Sequence, residues 1–119
     1  MDPEYYKLDS LNASKIKSLK AEGRALIAVG TTTTRCLEFL ARHEDPLERE
    51  SEGFCNLFIY PGFQFRILDG LLTNFHLPRS TLFMLVCAFA GREFMLHCYR
   101  QAIGENYRFY SYGDCMLIL

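Results

Sequence analysis

The run Ala25-Leu26-Ile27-Ala28-Val29, closed by Gly30, constrains this chain most. An unbroken apolar run this short cannot make a helix, and it lacks the alternation of a half-exposed strand. It reads as a strand buried on both faces, of the kind from which parallel sheets are built. Residues 5–8 read as a short strand before it. Asp9 or Ser10 then caps a helix to Glu22 that Gly23 stops, with Leu11, Ile16 and Leu19 on one narrow apolar face. A second helix is expected from about Thr34 to His43. Residues 43–53, rich in Glu and Asp and holding Pro46, read as an exposed, mobile loop. Residues 57–60 and 65–72 read as strands around a Pro61-Gly62 turn, 81–90 as a buried helix, and 92–105 as an amphipathic one. Residues 107–112 read as an aromatic strand and 116–119 as an apolar tail. This alternation predicts an α/β fold, with a largely parallel sheet covered by helices, across residues 1–119 as a single domain or part of one.

Composition narrows the function classes. Half of the 119 residues are apolar, enough for one packed core, and the net charge of -1 removes the overall basic bias of a free-standing nucleic-acid binder. The one local cluster of cations, Lys7, Lys15, Lys17, Lys20 and Arg24, is either a solvated helix face or a phosphate-contacting patch. The five cysteines are odd in number and form no C-x-x-C pair, which indicates neither disulfides nor a zinc site. With no basic-then-apolar leader and no apolar run near the roughly 20 residues that span a bilayer, the expected setting is the cytoplasm, with no membrane contact.

In α/β folds the strand-to-helix connections gather at the carboxyl ends of the strands, where helix amino termini offer free N–H groups. Two polar connections qualify. Gly30 to Arg35 brings the hydroxyls of Thr31, Thr32, Thr33 and Thr34 and the Arg35 guanidinium, a set suited to ribose hydroxyls or a carboxylate. An over-supplied helix cap explains it as well, and it is not a Walker loop. The connection from Asp69 to Thr81 holds Asn74, His76, Arg79 and Ser80. A lone His between Phe75 and Leu77 is more often a hydrogen-bonded core residue than a catalyst, but Asn74 and Arg79 cluster with it. Asp69 suits a base or a turn former. A third segment, residues 107–114, is dense in aromatics. Packing on a helix is its commoner use, and stacking on a base or contact with a sulfonium its functional one.

Taken in order, Val29-Gly30-Thr31-Thr32-Thr33-Thr34-Arg35, Leu57-Phe58-Ile59-Tyr60-Pro61-Gly62-Phe63, Thr73-Asn74-Phe75-His76-Leu77-Pro78-Arg79-Ser80-Thr81, Ala88-Phe89-Ala90-Gly91 and Tyr107-Arg108-Phe109-Tyr110-Ser111-Tyr112-Gly113-Asp114 resemble one family throughout. It is the S-adenosylmethionine:tRNA ribosyltransferase-isomerase family of queuosine biosynthesis. The chain resembles only its carboxyl-terminal part, without the family's amino-terminal section and inserted β-barrel domain. Asp2 stands where the family usually has His, Cys55 where it commonly has Thr, and Phe63 where it often has Tyr.

The resemblance implies transfer and isomerisation of the ribosyl unit of S-adenosylmethionine onto 7-aminomethyl-7-deazaguanine at the tRNA wobble position. Epoxyqueuosine forms, adenine and methionine leave, and no metal is involved. For that chemistry His76 is the expected proton-transfer group, with Asp69 second. Thr31 to Thr34, Arg35, Asn74, Arg79 and Ser80 are the expected binding residues, with Tyr60, Phe75, Tyr107 and Tyr112 for stacking. A nucleotide-binding module without chemistry, or a fragment that binds nothing alone, are the alternatives. The oligomeric state is not legible.

Overall fold

The computed structural model describes residues 2–42 and 50–119. Their elements are β1 (Glu4–Leu8), α1 (Ser10–Ala21), β2 (Ile27–Val29), α2 (Thr31–Leu40), β3 (Ser51–Cys55), β4 (Gly70–Asn74), α3 (Thr81–Ala90), α4 (Arg92–Gly104) and β5 (Cys115–Ile118). The α/β class holds, and the sheets are mixed. In the order β2-β4-β5, β2 runs parallel and β5 antiparallel to the central β4, while β1 and β3 form a separate antiparallel pair.

The local signals for the helices act as expected. Asp9 caps α1 by accepting from the Asn12 N–H at 2.7 Å, and Ser80 caps α3 by accepting from the Phe83 N–H at 3.1 Å. Gly91, at φ 95°, ends α3 and starts α4, and its positive φ lets the chain bend by 112° between them. Neither helix alone is long and apolar enough to cross a membrane. Phe83, Leu85, Val86 and Cys87 of α3 and Met95, Tyr99 and Ala102 of α4 are buried in one core with Ala28, Leu71 and Ile118 of the sheet.

The sheet has one covered face only. Side chains alternate across a strand, so Ala28, Leu71, Thr73 and Ile118 point into that core, while Ile27, Val29, Leu72 and Leu117 share the other face. Ala28 is 2% exposed and Leu71 0%, against 67% for Val29 and 57% for Leu117. β2 is therefore a strand buried on one face, not the doubly buried strand its composition predicts.

Further readings are corrected. Residues 65–72 are not one strand: only the last three join β4, because the N–H groups of Arg66, Ile67 and Leu68 donate to the buried Glu38 carboxylate of α2 instead of to a ladder. Residues 57–60 form no strand either. Ile59 is buried in the core, and the Leu57 carbonyl accepts from Arg35 Nε at 3.0 Å. Residues 107–112 are a turn-rich segment, with the Tyr110 N–H donating to the Phe75 carbonyl at 2.9 Å and Asp114 accepting from the Arg108 N–H. The apolar tail is β5. Of the segment read as a mobile loop, residues 43–49 lie outside the described residues, and Ser51, Glu52 and Gly53 belong to β3.

Candidate functional site

β2 and β4 run parallel, so both deliver their connections to the same end of the sheet. The Gly30 N–H donates to the Leu72 carbonyl at 2.8 Å, drawing the start of α2 against the end of β4. Two adjoining hollows of about 420 and 400 Å³ open there. Both are lined by Thr31, Asn74 and His76. Thr32, Thr33, Thr73 and Cys115 extend one lobe, and Ser80, Tyr110 and Ser111 the other. The two polar connections thus build one crevice.

Helix geometry sorts the four threonines. Gly30 caps α2 with no side chain, which leaves first-turn N–H groups without intrahelical partners beside the crevice. Thr31 and Thr33 line it. Thr32 lines it while donating to Glu4 Oε2 at 2.8 Å. Thr34 is fully buried and donates back to the Gly30 carbonyl at 2.9 Å. Arg35 is buried, ion-paired with Glu4 and bonded to the carbonyls of Leu57 and Asp2, so it ties α2 to β1 and does not line the crevice.

Three contacts place His76. Its ring Nε2 shares a hydrogen bond with the Thr73 hydroxyl at 2.9 Å, and its backbone N–H donates to the Tyr99 hydroxyl of α4 at 2.8 Å. The preceding carbonyl, that of Phe75, accepts from Tyr110. Burial lowers the imidazole's pKa below its ordinary value, which favours the neutral base. Burial likewise pushes the Tyr99 hydroxyl up to about 12.

The remaining sequence candidates scatter. Asp69 lies at the other end of β4 from His76. It accepts from the Leu26 N–H at 2.8 Å and from Lys20 Nζ at 3.1 Å, and these bonds hold its carboxyl below the usual range. Phe75 is buried against Phe109, Tyr99 and Tyr107 and lines an apolar hollow between α4 and β5, not the crevice. Tyr60 is exposed beside Phe58, and Tyr112 is exposed beside Tyr110. Tyr107 lines the same apolar hollow as Phe75, and Arg79 is exposed next to the crevice. In the basic segment, Lys20 is bonded to Asp69 and Arg24 to Glu22.

Sequence reasoning passed over Thr73, Tyr99 and Cys115, and took Tyr110 only as part of the aromatic segment 107–114. In the fold Tyr110 is a non-glycine residue at φ 60°, a strained conformation. Among the described residues no group of three His, Cys, Asp or Glu is placed to hold a metal ion.

Comparison with known proteins gives the family. A family described as "Queuosine biosynthesis protein" matches residues 1–118. S-adenosylmethionine:tRNA ribosyltransferase-isomerase from Pelotomaculum thermopropionicum is 52% identical over all 119 residues, and that from Aquifex aeolicus 54%. The chain corresponds to 35% and 34% of those proteins, about a third of their length. The crystal structure of S-adenosylmethionine tRNA ribosyltransferase from Thermotoga maritima superposes with a TM-score of 0.89 at 48% identity, over 97% of this chain and 40% of that one. An α/β sheet, a crevice at its carboxyl edge and half of all residues shared along the full chain lead to one assignment: this chain belongs to the S-adenosylmethionine:tRNA ribosyltransferase-isomerase family of queuosine biosynthesis.

Proposed function

We propose that this chain is the carboxyl-terminal part of a tRNA-modifying enzyme and carries the part of its site that handles S-adenosylmethionine. The enzyme transfers the ribosyl unit of S-adenosylmethionine to 7-aminomethyl-7-deazaguanine in tRNA and isomerises it, giving epoxyqueuosine with loss of adenine and methionine. The observation that carries this reading is the convergence of Thr31 and His76 on one crevice in a chain 52% identical to an enzyme of that name. The bare apolar face of β2 and β5 supports a partial domain, since a sheet face left to solvent carries polar residues there, not Val29 and Leu117.

The chemistry suits the groups present. A sulfonium acidifies the neighbouring 5′ carbon, so a neutral imidazole serves as the base that removes its proton, and the departing adenine needs a proton in return. His76 is the group for that transfer. The amino end of α2, with Thr31 and Thr33, suits the methionine carboxylate or the ribose hydroxyls. Tyr110 offers a ring at the same crevice for stacking. Asp69 and Phe75 are committed to structural contacts and take no part in this scheme.

The test uses the full-length enzyme containing this chain, with adenine release and S-adenosylmethionine affinity measured on one preparation. His76→Ala is expected to cut release steeply and leave affinity nearly intact, because a proton-transfer group acts in the transition state. Wild-type release from His76→Ala overturns the assignment. Binding without any release by the full-length wild type favours a nucleotide-binding module instead.

A further inference from the structure

We infer that Thr73 is the positioning residue of the crevice: its hydroxyl holds Nε2 of His76, so that Nδ1 is the ring nitrogen that works on the ligand. The inference rests on the reading of His76 as the proton-transfer group and adds how that ring is held. Thr73 lies on the covered face of β4, beside Leu71, and is only 6% exposed. A hydroxyl in that position needs a partner, and the Nε2 contact at 2.9 Å provides it.

The backbone leaves the ring little freedom. Tyr99 takes the His76 N–H from the α4 side, and Tyr110 ties down the Phe75 carbonyl from the 107–114 segment. With the main chain pinned at two successive residues, the Thr73 bond fixes the remaining freedom, the rotation of the imidazole. Of the two ring nitrogens, only Nδ1 is then left for a ligand.

A hydroxyl suits this place better than a carboxylate. With Nδ1 free to take a proton, the neutral ring carries its own proton on Nε2, and that N–H donates to the Thr73 oxygen. When Nδ1 is protonated as well, the same oxygen still accepts from Nε2–H. A carboxylate would accept the same N–H but would also favour the charged ring and hold the proton on the base. Thr73 therefore keeps one bond through both halves of a proton transfer at Nδ1, with no rotation of the side chain. Among the described residues the titratable groups facing His76 are Tyr99 of α4, Tyr110, and Cys115 at the start of β5, and no charged side chain lines either lobe. The Thr73 oxygen is thus the nearest stabiliser of the imidazolium.

The test compares Thr73→Val, nearly isosteric but without the hydroxyl, with Thr73→Ser. On this chain, nitrogen NMR of the His76 ring should show Nε2 hydrogen-bonded in the wild type and in Thr73→Ser. In Thr73→Val the tautomers should mix and the His76 pKa should fall further, because the imidazolium has lost its acceptor. In the full-length enzyme, Thr73→Val should lower kcat for adenine release by about tenfold or more, part of the roughly hundred- to ten-thousandfold that proton transfer contributes. KM for S-adenosylmethionine should hardly change, the acidic limb of the rate profile should move to lower pH, and Thr73→Ser should restore both. An unchanged His76 titration and tautomer in Thr73→Val overturns the positioning role. If the titration shifts but the rate profile of the full-length enzyme does not follow, His76 is not the proton-transfer group, and that reading fails on its own evidence.

Discussion

Replacing Glu38 is the sharpest test of how the crevice is held in place. Its carboxylate is fully buried between α2 and the segment that leads into β4. One oxygen accepts from the Arg66 N–H at 2.7 Å and from Arg42 Nη1 at 3.3 Å, and the other from the N–H groups of Ile67 and Leu68, both at 3.0 Å. Glu38→Gln keeps one acceptor oxygen. If it stays toward Ile67 and Leu68, the new amide nitrogen faces the Arg66 N–H and the Arg42 guanidinium, donor against donor. The loss is one hydrogen bond to a charged group, worth about 1.5–3 kcal/mol, plus a stranded donor at about 1–3 kcal/mol. A destabilisation of about 2.5–6 kcal/mol is expected by urea unfolding, with hydrogen exchange at Arg66 to Leu68 accelerating more than exchange in α3. Glu38→Ala strands all of these donors and should approach the whole stability of a small domain, about 5–15 kcal/mol. A Glu38→Gln chain within about 0.5 kcal/mol of wild type, below any of these costs, would refute the argument that these bonds stand in for strand pairing.

Three further outcomes are expected. Leu85→Ala, in the fully buried middle of α3, should cost about 2–5 kcal/mol in the same urea measurement, the range of buried leucine truncations. The pKa of His76 is lowered in the fold by burial, so between that value and the unfolded one of about 6.5 the unfolded chain binds more protons. Its contribution to stability is complete above the unfolded value and is lost as pH falls toward the folded one, and His76→Gln should flatten that part of a stability–pH curve. Finally, this chain alone should release no adenine from S-adenosylmethionine in the presence of substrate tRNA, while the full-length enzyme containing it does. Correct placement of reactants can contribute roughly 7–11 kcal/mol, and a third of the protein builds only part of that placement.

What could be read in the sequence was what short-range chemistry determines. Asp9 and Ser80 bond to N–H groups three residues on, and Gly91 bends the chain where it stands, so the helices fell within a few residues of their expected bounds. The crevice was legible too, because parallel strands carry their connections to one edge whatever covers them. The failures share a different cause. Residues 65–72 look like a strand because they are apolar, but the partner of their N–H groups is a carboxylate 28 to 30 residues earlier. β3 and β5 gain their identity from β1 and β4, at distances in the chain that no local pattern encodes.

Residues 31–35 show how side chains adjacent in the sequence part company in the fold. Successive residues of a helix are about 100° apart, so a run of five necessarily points in every direction. All five were candidates by chemistry. The fold turns Thr31 and Thr33 to the crevice, joins Thr32 to Glu4, folds Thr34 back on Gly30 and spends Arg35 on tying α2 to β1. Glu4 thereby holds the first turn of α2 by two of its side chains, and the N–H groups that border the crevice depend on where that turn sits. A carboxylate lying outside the crevice therefore sets the position of the donors inside it. A related logic applies inside the crevice, where the Thr73 hydroxyl, itself part of the lining, holds the ring of His76.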